Sequence, residues 1–180
     1  MNVAVVDYGA GNLRSVLLAF ARLGVDARVT ADPDDVLGAD LAVLPGVGSA
    51  RTAMASLRRT GCDEALHTRM GPTLGICLGL HLALEESEED GGVAGLGLVP
   101  GRAARIREGR VPRIGWAPVE PDGTAYWFAH SYAATTPAGV YTSEGFVATA
   151  RHGSFTGVQF HPEKSGPAGS RWLEQCLSLA

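Results

Sequence analysis

Apolar residues crowd Met1–Tyr8, with Val3-Ala4-Val5-Val6 unbroken. That is the pattern of a strand buried on both faces. Gly9-Ala10-Gly11-Asn12 then reads as a turn, with Asn12 placed to cap a helix. Leu13, Val16, Leu17, Phe20 and Leu23 recur at three and four, which predicts an amphipathic helix over Leu13–Leu23, closed by Gly24. Val25–Thr30 and Asp40–Leu44 read as the second and third strands, the third ending in Pro45-Gly46-Val47-Gly48. A helix follows over Ser49–Arg59. Thr73–Ile76 is a fourth apolar strand that runs into Cys77, with a helix over Leu78–Glu85 behind it. Strand and helix alternate, so a largely parallel sheet flanked by helices is expected.

The second half changes period. Val99–Ile106, Arg113–Val119, Tyr126–Ser131, Val140–Tyr141, Phe146–Arg151 and Thr156–Phe160 read as short strands between Gly/Pro turns. With few helical stretches among them, they are expected as antiparallel hairpins added to the parallel core. Trp172–Leu179 reads as a closing helix, and the acidic run Glu85–Asp90 as a helix end and loop in solvent. The expected fold class is thus α/β, with an antiparallel extension in the C-terminal half. At 180 residues the chain fits one domain, residues 1–180.

Composition narrows the chemistry. The chain carries 15 Lys+Arg against 19 Asp+Glu, a net charge of −4, and phosphate backbones demand clustered positive charge. Nucleic acid is therefore not an expected partner. Arg102, Arg105, Arg107, Arg110 and Arg113 are spread out and read as a solvated face. No apolar stretch reaches the roughly 18 residues of a membrane span, and the N-terminus reads as a strand rather than a signal peptide, so neither a membrane nor export is expected. Three cysteines (Cys62, Cys77, Cys176) without a CxxC pair or zinc spacing fit a reducing, cytoplasmic setting with no metal.

One cysteine stands apart. In Thr73-Leu74-Gly75-Ile76-Cys77-Leu78-Gly79-Leu80-His81 a buried strand ends on a thiol and a helix starts at once. Gly75 and Gly79 give a sharp strand-to-helix turn room, the elbow logic of G-x-S-x-G hydrolases with sulfur in place of oxygen. The helix start favours the thiolate, and the Leu78 N–H can face an oxyanion. Cys62 and Cys176 read as buried filler. A thiol needs a base and the base an orienter. His161 stands after an apolar strand in Gln159-Phe160-His161-Pro162-Glu163. On extended backbone His161 and Glu163 project to one side. His67 and His152 read as surface residues, and His130 as structural or pocket-lining. Gly46-Val47-Gly48, beside the elbow in a parallel topology, offers a second oxyanion donor.

Together these residues resemble a class I glutamine amidotransferase across nearly the whole chain. Asp7–Val16, Leu44–Gly48, Gly115-Trp116, His130-Ser131-Tyr132 and His161–Gly166 are similar to the glutaminase subunit of imidazole glycerol phosphate synthase. The resemblance implies the class I amidotransferase fold and a glutaminase reaction without cofactor. In it Cys77 attacks the side-chain amide of glutamine, His161 shuttles the proton, Glu163 orients His161, and a thioester is hydrolysed. It implies oxyanion and substrate contacts at Gly46, Val47, Gly48, Leu78, His81, Ser131 and Tyr132. It implies heterodimer formation with a (β/α)₈-barrel cyclase that receives the ammonia, in histidine biosynthesis, through a face that includes Asn12 and Trp116, with hydrolase and lyase steps in the assembled enzyme. Trp127 is a further aromatic that fits either that face or the core. The chain departs from the family at three places. His81 stands where a glutamine is usual, Arg113 where a histidine precedes Gly115-Trp116, and Ala117 where an asparagine follows. A paralogue feeding another synthase, or a non-catalytic subunit of an ammonia-using synthase, are the alternative readings.

Overall fold

The computed structural model describes residues 1–178. The first half runs β1 (Val3–Val6), α1 (Leu13–Arg22), β2 (Ala27–Thr30), α2 (Pro33–Gly38), β3 (Leu41–Leu44), α3 (Ala50–Thr60), α4 (Cys62–Thr68), β4 (Thr73–Ile76) and α5 (Leu78–Ala83). The second half runs β5 (Leu84–Ser87), β6 (Val93–Ala94), β7 (Val99–Arg105), β8 (Arg113–Val119), β9 (Thr124–His130), β10 (Tyr132–Thr135), β11 (Gly139–Ser143), β12 (Phe146–His152), β13 (Phe155–Val158) and α6 (Gly166–Leu177). Residue 179 of the expected last helix lies outside the described residues. No helix among the described residues is long and apolar enough to cross a membrane.

The central sheet has seven strands in the order β11-β12-β13-β4-β3-β1-β2. The five from β13 to β2 are parallel, and β12 and β11 extend them antiparallel. This is the α/β class the chain pattern predicts. β1, β3 and β4 are buried at every residue, which is why they read as unbroken apolar runs. Side chains alternate between two layers. Val5 joins Phe20, Phe160 and Trp172 on one face, while Val6 joins Leu57 and Leu80 on the other.

Three expectations are corrected. First, only β11, β12 and β13 join the central sheet. β10-β7-β5-β6 form a separate four-stranded sheet and β8-β9 a two-stranded ribbon, and β5 pairs β7 in parallel. Second, the helix after Cys77 stops at Ala83, because Leu84 and Ser87 turn inward as a strand. The acidic run is not merely solvated, since Glu85 accepts the Gly101 N–H at 2.8 Å and Glu88 the Arg105 N–H at 3.0 Å. Third, Asn12 occupies the N-cap position of α1 without a side-chain capping bond. The short helices α2 and α4 went unread. α2 buries only Val36 and holds together through its Asp32 cap and Pro33 rather than through periodicity.

The C-terminal ends of β3, β4 and β13 lie side by side, with Leu44 opposite Gly75 and Val158 opposite Ile76. In open α/β sheets that edge is where ligands bind. Helix α5 can sit this close only because Gly79 faces the Leu44 backbone; a Cβ there meets the Leu44 carbonyl. Gly79→Ala is expected to cost about 1–3 kcal/mol through overpacking. Gly38→Ala, with nothing near its Cβ position, is the control that stays within experimental error. Urea unfolding of both variants checks the contrast.

Candidate active site

Cys77 follows β4 directly and has φ 48°, ψ −100°, a region that side chains rarely occupy and that costs on the order of 1–3 kcal/mol. The conformation is held from both sides. Its N–H donates to the Val158 carbonyl at 2.7 Å, and its carbonyl accepts the N–H groups of Leu80 and His81 at 3.1 and 3.3 Å. Gly46 lies against the Ile76 carbonyl and the Cys77 Cβ, and a Cβ on Gly75 would meet Phe155 at 2.6 Å and Gly79 at 2.8 Å. The glycines frame the elbow for the steric reason their spacing suggested. Cys77 is 6% exposed, with its sulfur 3.9 Å from the Ala129 carbonyl.

His161 reaches the same sulfur from the segment after β13. Its N–H donates to the Trp127 carbonyl at 2.8 Å, and its carbonyl accepts the Ser165 hydroxyl at 2.7 Å. Its Nδ1 lies 2.8 Å from Glu163 Oε1. The pairing forms, although not through a pleat. Pro162–Lys164 make a single 3₁₀ turn that curls Glu163 back under the ring. Burial alone lowers the imidazole, but hydrogen bonds to Cys77 and Glu163 overcome it and raise the group to about 9. The other carboxylate oxygen, Glu163 Oε2, is buried without a partner.

A cleft of about 280 Å³ opens over the sulfur and is lined by all seven expected substrate and oxyanion residues: Gly46, Val47, Gly48, Leu78, His81, Ser131 and Tyr132. Leu78 opens α5, so its N–H has no acceptor within the helix. Tyr8 donates its hydroxyl to the Pro45 carbonyl, which ties the start of the Gly46–Gly48 loop to β1. His130 also lines the cleft. Burial, and then Arg113, lower it to about 4 against the opposing bond to Tyr132. Its Nδ1 donates to the Tyr132 carbonyl at 2.8 Å, and Nε2 accepts from Arg113 at 3.1 Å. His67 and His152 are exposed, while Cys62 and Cys176 are buried away from the cleft.

Sequence reasoning passed over Glu89 in the cleft wall and Gln159 beside the sulfur. Glu89 lines the wall from the acidic turn, with its carboxyl raised by burial and by Asp90. Asp90 pins that turn to α3 by accepting the Ser49 hydroxyl at 2.6 Å and the Arg51 N–H at 3.2 Å. Gln159, fully buried, bonds both Cys77 and His81. At the cleft mouth Ile114 lines the wall and, with Trp116, is more than half exposed. Trp127, half-buried, packs edge-on to Trp116 at 6.0 Å. Asn12 does not line the cleft. Among the described residues no three His, Cys, Asp or Glu side chains are grouped to hold a metal ion.

Comparison with known proteins places this geometry. The glutamine amidotransferase class-I profile matches residues 4–179. Imidazole glycerol phosphate synthase subunit HisH of Carboxydothermus hydrogenoformans is 43% identical over 195 residues, covering 97% of this chain and 98% of that one. The protein of the same name from Escherichia coli is 39% identical, covering 99% and 100%. Among solved structures a glutamine amidotransferase superposes with TM-score 0.81 at 20% identity, covering 98% and 97%. That last likeness supports the fold.

The His161 ion pair has a pH signature. Its folded value near 9 lies above the ordinary 6.5, so folding takes up a proton between the two. The stabilisation is full below about 6.5 and is lost as pH rises through about 9. Against a His161→Gln reference, the unfolding free energy of the native chain is expected to fall across that window, by at most about 1.4 kcal/mol per pH unit. Denaturant titration at stepped pH measures it.

Proposed function

The chain belongs to the class-I glutamine amidotransferase family, and on that premise we propose that it is the glutaminase subunit of an imidazole glycerol phosphate synthase. The observation that carries the reading is the His161–Glu163 pair, 2.8 Å apart, with an imidazole raised by both Cys77 and Glu163 beside the sulfur that lines the cleft. Residues 1–180 act as one amidotransferase domain in the cytoplasm.

Glutamine enters with its side-chain amide over the sulfur. His161 already holds the thiol proton when Cys77 attacks the carbonyl carbon as a thiolate, and it passes that proton to the departing ammonia. Glu163 fixes the ring and balances the imidazolium. The Leu78 N–H and a peptide of Gly46-Val47-Gly48 face the oxyanion. The Val47 peptide is the element that a ligand on the partner subunit rearranges. Water, activated by His161, then opens the thioester to glutamate. Glu89 suits the substrate ammonium group, a half-buried acid opposite a cation, while Ser131, Tyr132 and His81 bound the amino-acid end. The whole cycle is acyl transfer and needs no cofactor. The step on this chain is hydrolysis, and the lyase chemistry of the assembled enzyme falls to the partner.

Ammonia made in the cleft leaves towards a (β/α)₈-barrel cyclase seated on the exposed edge of the β8-β9 ribbon, where Trp116 and Ile114 stand out of solvent-facing backbone. Asn12 is the further residue we assign to the partner face.

Cys77→Ala is expected to abolish glutamate release while leaving ammonia-driven synthesis by the complex intact. Residual glutamine hydrolysis by that variant removes Cys77 as nucleophile, and loss of both activities points to a folding defect visible in a melt. Trp116→Ala is expected to weaken cyclase binding at least about tenfold. Because the side chain is largely exposed, stability of the free chain stays unchanged; calorimetric titration with the cyclase reads the difference.

A further inference from the structure

A second run of side-chain contacts reaches the sulfur. His81 Nε2 is 2.9 Å from Gln159 Oε1, and Gln159 Nε2 is 3.5 Å from Cys77 Sγ. Gln159 is fully buried and His81 is 4% exposed. Those two contacts use both ends of the Gln159 amide. Its backbone is fixed as well, the N–H donating to the Ala148 carbonyl at 2.9 Å.

The direction of the run follows from what each atom can do. An amide oxygen only accepts, so Nε2 of His81 carries the proton and Nδ1 is bare. The amide nitrogen then faces the sulfur and donates to it. Were the amide turned over, its oxygen would stand against the sulfur lone pairs and its NH₂ against the His81 N–H. With His81 in the Nε2–H tautomer both contacts would be lost, and the thiolate would face a partial negative charge. His81 therefore selects the orientation in which Cys77 receives a donor. Burial lowers the His81 imidazole against the bond to Gln159, which keeps it neutral with one N–H. Donors to charged groups are among the stronger hydrogen bonds.

We propose that Gln159 is a catalytic residue donating its amide N–H to the Cys77 thiolate, and that His81 is the positioning residue holding the amide the right way round. The proposal rests on the reading of Cys77 as the nucleophile. It gives the histidine at position 81 a task directed at the sulfur as well as at the cleft it lines.

Iodoacetamide alkylation of Cys77, followed by mass spectrometry across the neutral pH range, tests this without glutamine or a partner. Other groups facing the Cys77–His81 pair shape the profile too: Tyr8 from the turn after β1, Glu89 from the acidic turn, His130 with Arg113 behind it, and His161 with Glu163. They are left unaltered in every variant. Gln159→Met keeps length and volume while removing both hydrogen bonds. It is expected to slow alkylation at neutral pH about tenfold, the loss of one charged hydrogen bond, and to move the rising limb of the profile to higher pH. His81→Leu shifts it the same way, and His81→Gln, which still offers an N–H, stays within about twofold of the unaltered chain. The double variant Gln159→Met/His81→Leu is no slower than Gln159→Met, because His81 acts through the amide.

An unmoved profile in Gln159→Met, or effects of the two variants that add, overturns the proposal. If Gln159→Met melts early, the His81→Leu and His81→Gln pair decides the matter alone: equal profiles overturn it. An unreactive Cys77 in the unaltered chain sinks the functional reading, whereas a reactive Cys77 insensitive to positions 159 and 81 sinks only this one.

Discussion

The hydrogen bond from the Cys77 N–H to the Val158 carbonyl, 2.7 Å long, is the contact on which the site depends. It does two things at once. It holds a side-chain-bearing residue at φ 48°, which the chain alone would abandon at a gain of about 1–3 kcal/mol. It also locks the end of β4 to the end of β13 in one register, Val158 beside Ile76. The residues that follow Val158 are Gln159, Phe160 and His161. The rung that strains the nucleophile is therefore the rung that delivers its neighbours. Phe160 anchors the arrangement from beneath, fully buried between Tyr126, Phe128 and Trp172, while the residues on either side of it turn up towards the sulfur.

Three histidines stand around one thiol, and their surroundings sort them. All are buried, which disfavours charge on each. Only His161 has a carboxylate against its ring, and it alone is raised. His81 meets an amide, His130 a carbonyl and an arginine, and both are lowered. Cys77, and then Glu163, make this one imidazole the proton carrier and leave the others as neutral partners. Groups of like type pushed apart by their environments mark the acid–base assignment in a site, and here the thiol and one carboxylate set the division together.

Much of this was legible in the chain because the relevant forces act locally. Strands buried on both faces write themselves as apolar runs, as β1, β3 and β4 do. The glycine frame of Cys77 records a steric need of its own backbone. What was illegible is what only tertiary contact decides. β5 exists because β7 lies beside it, and nothing in Leu84–Ser87 competes with the helical pattern upstream. Glu89 looks solvated in an acidic run because its burial comes from a turn pinned to α3 through Asp90 and Ser49. The His161–Glu163 pairing was foreseen from strand alternation, yet a 3₁₀ turn makes it, since Pro162 starts a tight turn more readily than it continues a ladder. Alternation held instead one step earlier: Gln159 and His161 share a side and both meet Cys77, a signal present in the chain and passed over.

The place of the β8-β9 ribbon outside the central sheet has a mechanical consequence. Its two strands pair Trp116 with Trp127, Ile114 with Ala129 and Arg113 with His130. β8 thus carries the exposed Ile114 and Trp116, the first of them also at the cleft, and β9 carries Ala129 and His130 of the cleft wall. The Trp127 carbonyl accepts the His161 N–H at 2.8 Å, and its N–H donates to the Ser165 hydroxyl oxygen at 2.9 Å. The surface at Trp116 is therefore one ladder rung and one backbone hydrogen bond from the proton carrier. Arg113 stiffens this link. It bonds Glu144, Ser143 and His130, and stacks over Phe128 and Phe146. The ribbon shares no ladder rung with the seven-stranded sheet; it is tied to the site through the Trp127–His161 bond and through Arg113 on His130.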